Sequence, residues 1–314
     1  MNLGRIIQTG LLLLALVAAL QPATSQAKIV LQFGLFGDTP YSDFERRQLP
    51  MQLTEMGQEN LAFVVHDGDI KNGQSRCDDS LYQDIYGAFQ QSPLPLIYVP
   101  GDNEWTDCPR PTAGGFDQQE RLDYLRSVFF KNNQSLGQQT IILERQQGFP
   151  ENVRWVAGPV QFVALNMPGY DNNIRQLKEY APRNQANLQW LEQAFLQARE
   201  KELKGLVLII QANPWIEADN EGVTKPGFKD FFEQLRRETE SFSGQVVLVH
   251  GDTHSMQINK PLRDRKTRKV IENFTRVETY GAPFLGWVRG IVDDADPKLF
   301  RFEPRPWPMH TLGQ

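Results

Sequence analysis

Short apolar runs alternate with amphipathic stretches along most of this chain. IVLQFGLF (29–36), LAFVVH (61–66), PLIYVP (95–100), LVLIIQ (206–211) and QVVLVH (245–250) are nearly continuous apolar segments of strand length. Continuity, rather than strict alternation, is the pattern of strands covered on both faces. Between them, DDSLYQDIYGAFQQ (78–91), DQQERLDYLRSVFF (117–130) and NQANLQWLEQAFLQARE (184–200) repeat apolar residues at helical spacing. Ser42-x-x-Glu45 is a capping box that opens a further helix, which Pro50 is expected to kink or interrupt. RWVAGPVQFVALN (154–166) reads as a hairpin, and the C-terminal half as mostly antiparallel pieces. The pattern predicts an α/β fold: a layered β-sandwich of mixed sheets flanked by helices.

The first 27 residues depart from this pattern. Arg5, the apolar run Leu11–Leu20 and the small-x-small sequence Ser25-Gln26-Ala27 predict a signal peptide cleaved near Ala27, and hence a secreted or periplasmic protein. The run is too short for a membrane span, and no later run is long enough, so no stable membrane insertion is expected. Residues 28–314 carry no composition break, linker or repeat, and are read as a single domain. Arg5 is the only charged residue of the leader, which leaves 32 basic against 38 acidic residues, a formal charge of −6. That sign disfavours nucleic acid as a partner. The basic cluster RDRKTRK (263–269) reads as a solvated hairpin turn. Cys77 and Cys108 are the only two cysteines, an even pair that in an oxidising compartment is a candidate disulfide.

One signal recurs at the strand ends. FGDTP, HDGDIKNG, VPGDNEW and VHGDTH each close an apolar run with Gly-Asp, placing Asp38, Asp69, Asp102 and Asp252 at four strand ends. A single Gly-Asp is an ordinary turn and cap. Four are harder to assign to turns, because ligands of open α/β sheets collect at the carboxyl ends of strands, where residues distant in sequence converge. Converging carboxylates repel one another unless a cation balances them. A metal site is the economical reading.

In order and spacing, the chain from about Ile29 to about Pro261 resembles the calcineurin-like metallophosphoesterases, which include the purple acid phosphatases. The resemblance implies a β-sandwich whose strand ends hold two metals and hydrolyse phosphoric esters through a metal-bound hydroxide. It places Asp38 as a first ligand, Asp69 as the bridging carboxylate, Asp102 where the family has Asn, and Asn103 where it has a catalytic His, with Glu104 behind it. His254 matches the last His of the final motif. Pro40, Ala212 and Asp252 stand where the family has further histidines, Ala212 with Gln211 and Asn213 as nearby oxygen donors.

Exchanging imidazole for carboxylate favours oxygen-loving ions, Mn²⁺ or Mg²⁺ with Ca²⁺ as an alternative, one or two in number. The expected function is an exported metal-dependent phosphoesterase acting on a small phosphorylated mono- or diester. Its metal ligands are Asp38, Asp69, Asp102, Asp252 and His254, and Asn103 and Lys71 steady developing charge. Arg76 and Arg110 are further cations near these loops, and Tyr41, Trp105 and Trp215 are candidate walls of a substrate pocket. His66 and His250, still on their strands, are expected to be core histidines. The alternative is a catalytically degenerate relative that binds a cation or a partner without turnover. No GxSxG elbow supports a serine esterase.

Overall fold

The computed structural model describes residues 29–308, so the leader expected over residues 1–27 lies outside the described residues. Among those described, no helix is long and apolar enough to cross a membrane. Two mixed sheets stack face to face. The first runs β12 (Phe300–Pro306), β11 (Gly286–Asp293), β1 (Ile29–Phe36), β2 (Val64–His66) and β3 (Leu96–Tyr98), with β1, β2 and β3 parallel and β11 antiparallel to β1. The second runs β4 (Glu144–Gln146), β5 (Phe149–Ala157), β6 (Val160–Ala164), β7 (Gly205–Ile209), β8 (Gln245–His250), β10 (Phe274–Glu278) and β9 (Gln257–Asn259).

Alternation along the strands assigns each side chain to a layer. Phe33 and Leu35 of β1 meet Val65 and Ile97 and, from the other sheet, Phe162, Val207, Val247 and Val277 in the inter-sheet core. The opposite faces are covered by helices. Phe36, Val64 and Leu96 pack under α1 (Asp43–Gln58), α2 (Asp79–Gln90) and α3 (Gln118–Phe129). Val163, Leu206, Leu208, Val246 and Leu248 pack under α5 (Leu177–Glu200) and α7 (Lys229–Ser241). Four shorter pieces, the 3-10 turn Pro111–Ala113, α4 (Gly169–Asn172), α6 (Ile216–Asn220) and the 3-10 turn Pro226–Phe228, lie on loops.

Three expectations are corrected. Pro50 does not interrupt α1, which runs on to Gln58 with Leu49, Leu53 and Met56 buried. Tertiary burial on both sides of the proline outweighs one lost backbone bond. The capping box is also modified: Ser42 Oγ accepts from Glu45 N–H at 3.3 Å, but Glu45 reaches back to Tyr41 N–H at 2.5 Å. In the C-terminal half, β7 with β8 and β8 with β10 pair parallel, while β10 with β9 and β11 with β1 and β12 pair antiparallel.

Cys77 and Cys108 are bridged, with Cα atoms 5.8 Å apart and both residues fully buried. The bond closes a loop of 31 residues between the Gly-Asp turns that follow β2 and β3. Chain-entropy reasoning then expects Cys77→Ala/Cys108→Ala to lose about 4 kcal/mol, measured as a lower denaturant midpoint without reductant. An unchanged midpoint would mean that the Tyr82 hydroxyl, donating to Glu104 O at 2.9 Å, and its neighbours hold this loop alone.

Candidate metal centre

The four Gly-Asp turns lie at the carboxyl ends of β1, β2, β3 and β8, two sheets contributing to one crevice. Glycine is required because a carboxylate from another loop packs against its Cα. A Cβ on Gly101 would stand 2.0 Å from Asp69 Oδ1, and one on Gly251 would stand 2.1 Å from Asp38 Oδ2. Asp38, Asp69, Asp252 and His254 all have left-handed backbone, with φ of 47°, 59°, 77° and 56°. Conformations of that kind persist only where the surroundings enforce them, and they gather at functional sites.

Asp69 is the hub. Its Oδ1 accepts Asn103 N–H at 3.1 Å, and its Oδ2 accepts the Asn103 side-chain amide at 2.7 Å and the Tyr41 hydroxyl at 2.9 Å. The same hydroxyl stands 3.3 Å from Asp38 Oδ1 and accepts from Asn103 Nδ2 at 3.0 Å. Asp38 Oδ2 accepts Asp252 N–H at 2.9 Å. His254 donates from Nδ1 to Ala282 O at 2.5 Å, which leaves Nε2 3.5 Å from Asp38 Oδ1. Asp252 Oδ2 accepts Asn213 N–H at 3.0 Å. Asp102 is buried against Gly169, where a Cβ would come within 2.9 Å of its Oδ2. Glu104 does not face this group but organises it, its Oε1 accepting Gly101 N–H, Asp69 N–H and the Tyr98 hydroxyl at 2.7, 3.1 and 2.6 Å.

The structure thus brings Asp38, Asp69, Asp102, Asn103, Asp252 and His254 into one neighbourhood. Lys71 is buried, its ammonium on Asn72 O at 3.0 Å, as a countercharge to Glu104, Asp69, Asp107 and Asp102. Arg76 turns away to pair with Asp78, and Arg110 pairs with Asp107. Trp105 is fully buried beside Arg183 and walls no pocket. His66 donates from Nε2 to Thr39 O at 2.8 Å and accepts Gly68 N–H on Nδ1 at 3.2 Å, among the rings of Phe36, Phe89 and Tyr98. His250 is likewise buried, with Nδ1 on Gly251 O at 2.9 Å. Burial depresses the two to about 4 and about 3, so both are neutral.

Charge is unbalanced in the crevice. Burial, and then the carboxylates of Asp102, Glu104 and Asp38, push Asp69 well above the usual range. Asp102 is raised by burial and by Asp252. Asp252 reaches about 6, chiefly through burial. Burial works against ionising His254, yet the Asp38 carboxylate beside it raises its pKa overall. Two polar atoms add to the imbalance: Glu104 Oε2 and Gln211 Nε2 are buried without a hydrogen-bond partner among the described residues. In donor type and charge, the residues fit a hard divalent cation. In arrangement, no group of three or more His, Cys, Asp or Glu side chains among the described residues is set to hold one. The Asp69 oxygens are instead taken up by Tyr41 and Asn103. Sequence reasoning placed Tyr41 only as a wall, because a hydroxyl lying between two carboxylates has no signature in spacing.

The fold has solved counterparts. A dimetal phosphatase from Danio rerio matches at TM-score 0.56 and 12% identity, over 89% of this chain and 97% of that one. PhoD matches at 0.53 and 12% over 87% of this chain, which spans 65% of PhoD. The yellow lupin purple acid phosphatase PPD1 matches at 0.54 and 11% over 90% of this chain, which spans 52% of that protein. The fold is that of the calcineurin-like metallophosphoesterases. At such identities the likeness is one of fold. No family model matches the sequence, and no curated protein sequence does. A cavity of about 620 Å³ lined by Lys204, Gly244, Gln245 and Asp294 lies at the opposite ends of β7 and β8 from the crevice. Ligands of open α/β sheets collect at the carboxyl ends of the strands, the side on which the Gly-Asp turns meet.

Proposed function

We propose that this protein is an exported, metal-dependent hydrolase of small phosphoric esters. The observation that carries the reading is the convergence of Asp38, Asp69, Asp252 and His254, each on left-handed backbone, at the carboxyl ends of β1, β2 and β8. Asp38, Asp69, Asp102, Asp252 and His254 would hold Mn²⁺ or Mg²⁺. A bound divalent ion supplies Lewis acidity toward a phosphoryl oxygen and an activated water. The chain's own residues do the rest. Asn103, whose amide is donated to Asp69 and Tyr41 here, would offer it to a phosphoryl oxygen only on leaving them, and it moves no proton, so hydrolysis favours good leaving groups. Gln211 Nε2 is a second buried donor, held in place because its own Oε1 accepts Gly169 N–H at 2.8 Å. Lys71 lowers the anionic charge of the crevice without reaching solvent.

A second reading is favoured by the same hydrogen bonds. With Tyr41 and Asn103 seated on Asp69, the crevice could bind a cation without turnover. One experiment separates the two. Chelated protein is supplied with Mn²⁺ or Mg²⁺, and aryl phosphate mono- and diesters are assayed beside thermal unfolding. Cation-dependent hydrolysis is expected, together with a cation-induced rise in Tm that is larger at pH 7.5 than at pH 5. The sign follows from Asp252. Its folded pKa of about 6 lies above the unfolded 3.8, so between those values the cation-free fold keeps a proton that the unfolded chain has lost, and stability falls as pH rises. His66 and His250 act in the opposite sense below pH 6.5, but equally with and without cation. Cation binding must displace that proton, which costs more at pH 5. Stabilisation without hydrolysis would select the binding reading, and neither response would remove both.

A further inference from the structure

Among the described residues, three aromatic side chains stand well exposed: Tyr170 at 70%, Trp215 at 43% and Phe284 at 72%. All three lie on loops tied directly to the crevice. Tyr170 follows Gly169, whose Cα lies against the Asp102 carboxylate. Trp215 N–H donates to Asn213 Oδ1 at 2.9 Å, and Asn213 N–H donates to Asp252 Oδ2. Phe284 closes the turn from Gly281, in which Ala282 N–H donates to Asp38 O at 2.9 Å and Ala282 O accepts His254 Nδ1. Chance would scatter three exposed rings over the molecule; here each is anchored to a different part of one site.

The backbone beneath two of them is costly. Tyr170 has φ 54° and ψ 45°, and Trp215 has φ 62° and ψ 58°, left-handed conformations that bulky residues disfavour. Asparagine or glycine would sit there with less strain, so the rings are presented against a local preference. Each ring also has a cation on it. The Arg110 guanidinium lies 5.4 Å from the Tyr170 ring centroid, and the Lys225 ammonium 4.6 Å from that of Trp215. One segment joins the two loops: Lys225 contacts Trp215, while Gly227 N–H donates to Asp171 Oδ1 and Gly227 O accepts from Asn172 Nδ2, both at 2.9 Å.

We propose that Tyr170, Trp215 and Phe284 form an aromatic rim that selects phosphate esters whose organic part carries a planar ring, with Arg110 and Lys225 drawing in the anionic end. The proposal rests on the phosphoester reading above and names the substrate class for that site. Stacking on an aromatic face is tolerant of ring identity, so an aryl ester and a nucleotide share the chemistry, while an aliphatic phosphate gains nothing from the rim.

Non-hydrolysable phosphonates test this by calorimetry, with and without Mn²⁺. Phenylphosphonate represents an aryl ester, the phosphonate analogue of a nucleoside 5′-monophosphate represents a nucleotide, and methylphosphonate is the reference. At least one ring-bearing compound is expected to bind roughly tenfold tighter than methylphosphonate, and the tighter of the two identifies the source. Tyr170→Asn and Trp215→Asn remove the rings while keeping a residue that accepts left-handed backbone, and Phe284→Ala removes the third. Each should reduce the preference, and the triple variant should bring it near unity with methylphosphonate binding unchanged. Equal affinities in the natural protein, a preference that survives all three changes, or no binding of any phosphonate would overturn the rim. Absence of ester hydrolysis alone would strike only the catalytic reading, because these affinities do not depend on turnover.

Discussion

Asp69→Asn is expected to lower cation-dependent hydrolysis at least about 100-fold, beyond the 10- to 100-fold typical of residues one shell further out, and to erase the cation-induced rise in Tm. Asp69 is bonded on both oxygens by donors only: Asn103 N–H on Oδ1, and Asn103 Nδ2 and the Tyr41 hydroxyl on Oδ2. Either orientation of an asparagine amide would turn its NH₂ toward one of those donors, so the near-isosteric change still disturbs the hub. It also removes a charge that Asp102, Glu104 and Asp38 repel. The two effects oppose each other in the cation-free protein, whose Tm should therefore stay within a few degrees of the natural one. That combination, with activity and cation response lost but the fold retained, separates a role in the site from a role in folding. Hydrolysis at the natural rate in the variant would remove Asp69 from the chemistry.

Residues that act locally or through close backbone approach were legible in the sequence. The Gly-Asp pairs are such a case: Gly101 and Gly251 are demanded by carboxylates resting on them, and that demand leaves a mark on composition. The capping of α1 by Ser42, which accepts from Glu45 N–H at 3.3 Å, is equally local. The pairing of β10 with β8 was not legible. Parallel neighbours are usually announced by an intervening helix, whereas here the connection holds only β9 and loops. The first turns of α5 also lacked a signal, because Pro182 sits within them and Tyr180 and Arg183 are buried at positions a pattern would assign to solvent. Of the rim aromatics Trp215 stood out beside its motif loop, whereas Tyr170 gave no notice, since a left-handed turn built of Tyr170, Asp171, Asn172 and Asn173 has no periodicity to detect.

That turn depends on one buried side chain. Arg183 is 1% exposed, and its guanidinium donates to Asn166 O at 3.0 Å, to Asn172 Oδ1 and O at 2.6 and 3.0 Å, and to Glu179 Oε1 and Oε2 at 2.6 and 3.1 Å. A planar fork is what can serve a carboxylate and two backbone carbonyls at once. Arg183→Met keeps much of the volume but leaves the Asn172 oxygens unpaired and removes the countercharge of Glu179, which keeps a hydrogen bond from Asn173, at a cost of about 3–5 kcal/mol. For a protein of this size that corresponds to roughly 10 °C in Tm. Arg183→Lys should recover only part of the loss, because three diverging N–H bonds cannot reproduce the fork. The consequence extends past stability. Four consecutive left-handed residues, at about 1–2 kcal/mol each for residues other than glycine and less for Asp and Asn, have little reason to persist once Asn172 is released. Gly169 would then no longer press on Asp102, nor Tyr170 lie over Arg110. Arg183→Met, assayed below its lowered Tm, should therefore lose preference for ring-bearing phosphonates as well as stability. A variant that unfolds within about 1 kcal/mol of the natural protein would show that the turn is held by Gly227 and Gln211 without the arginine.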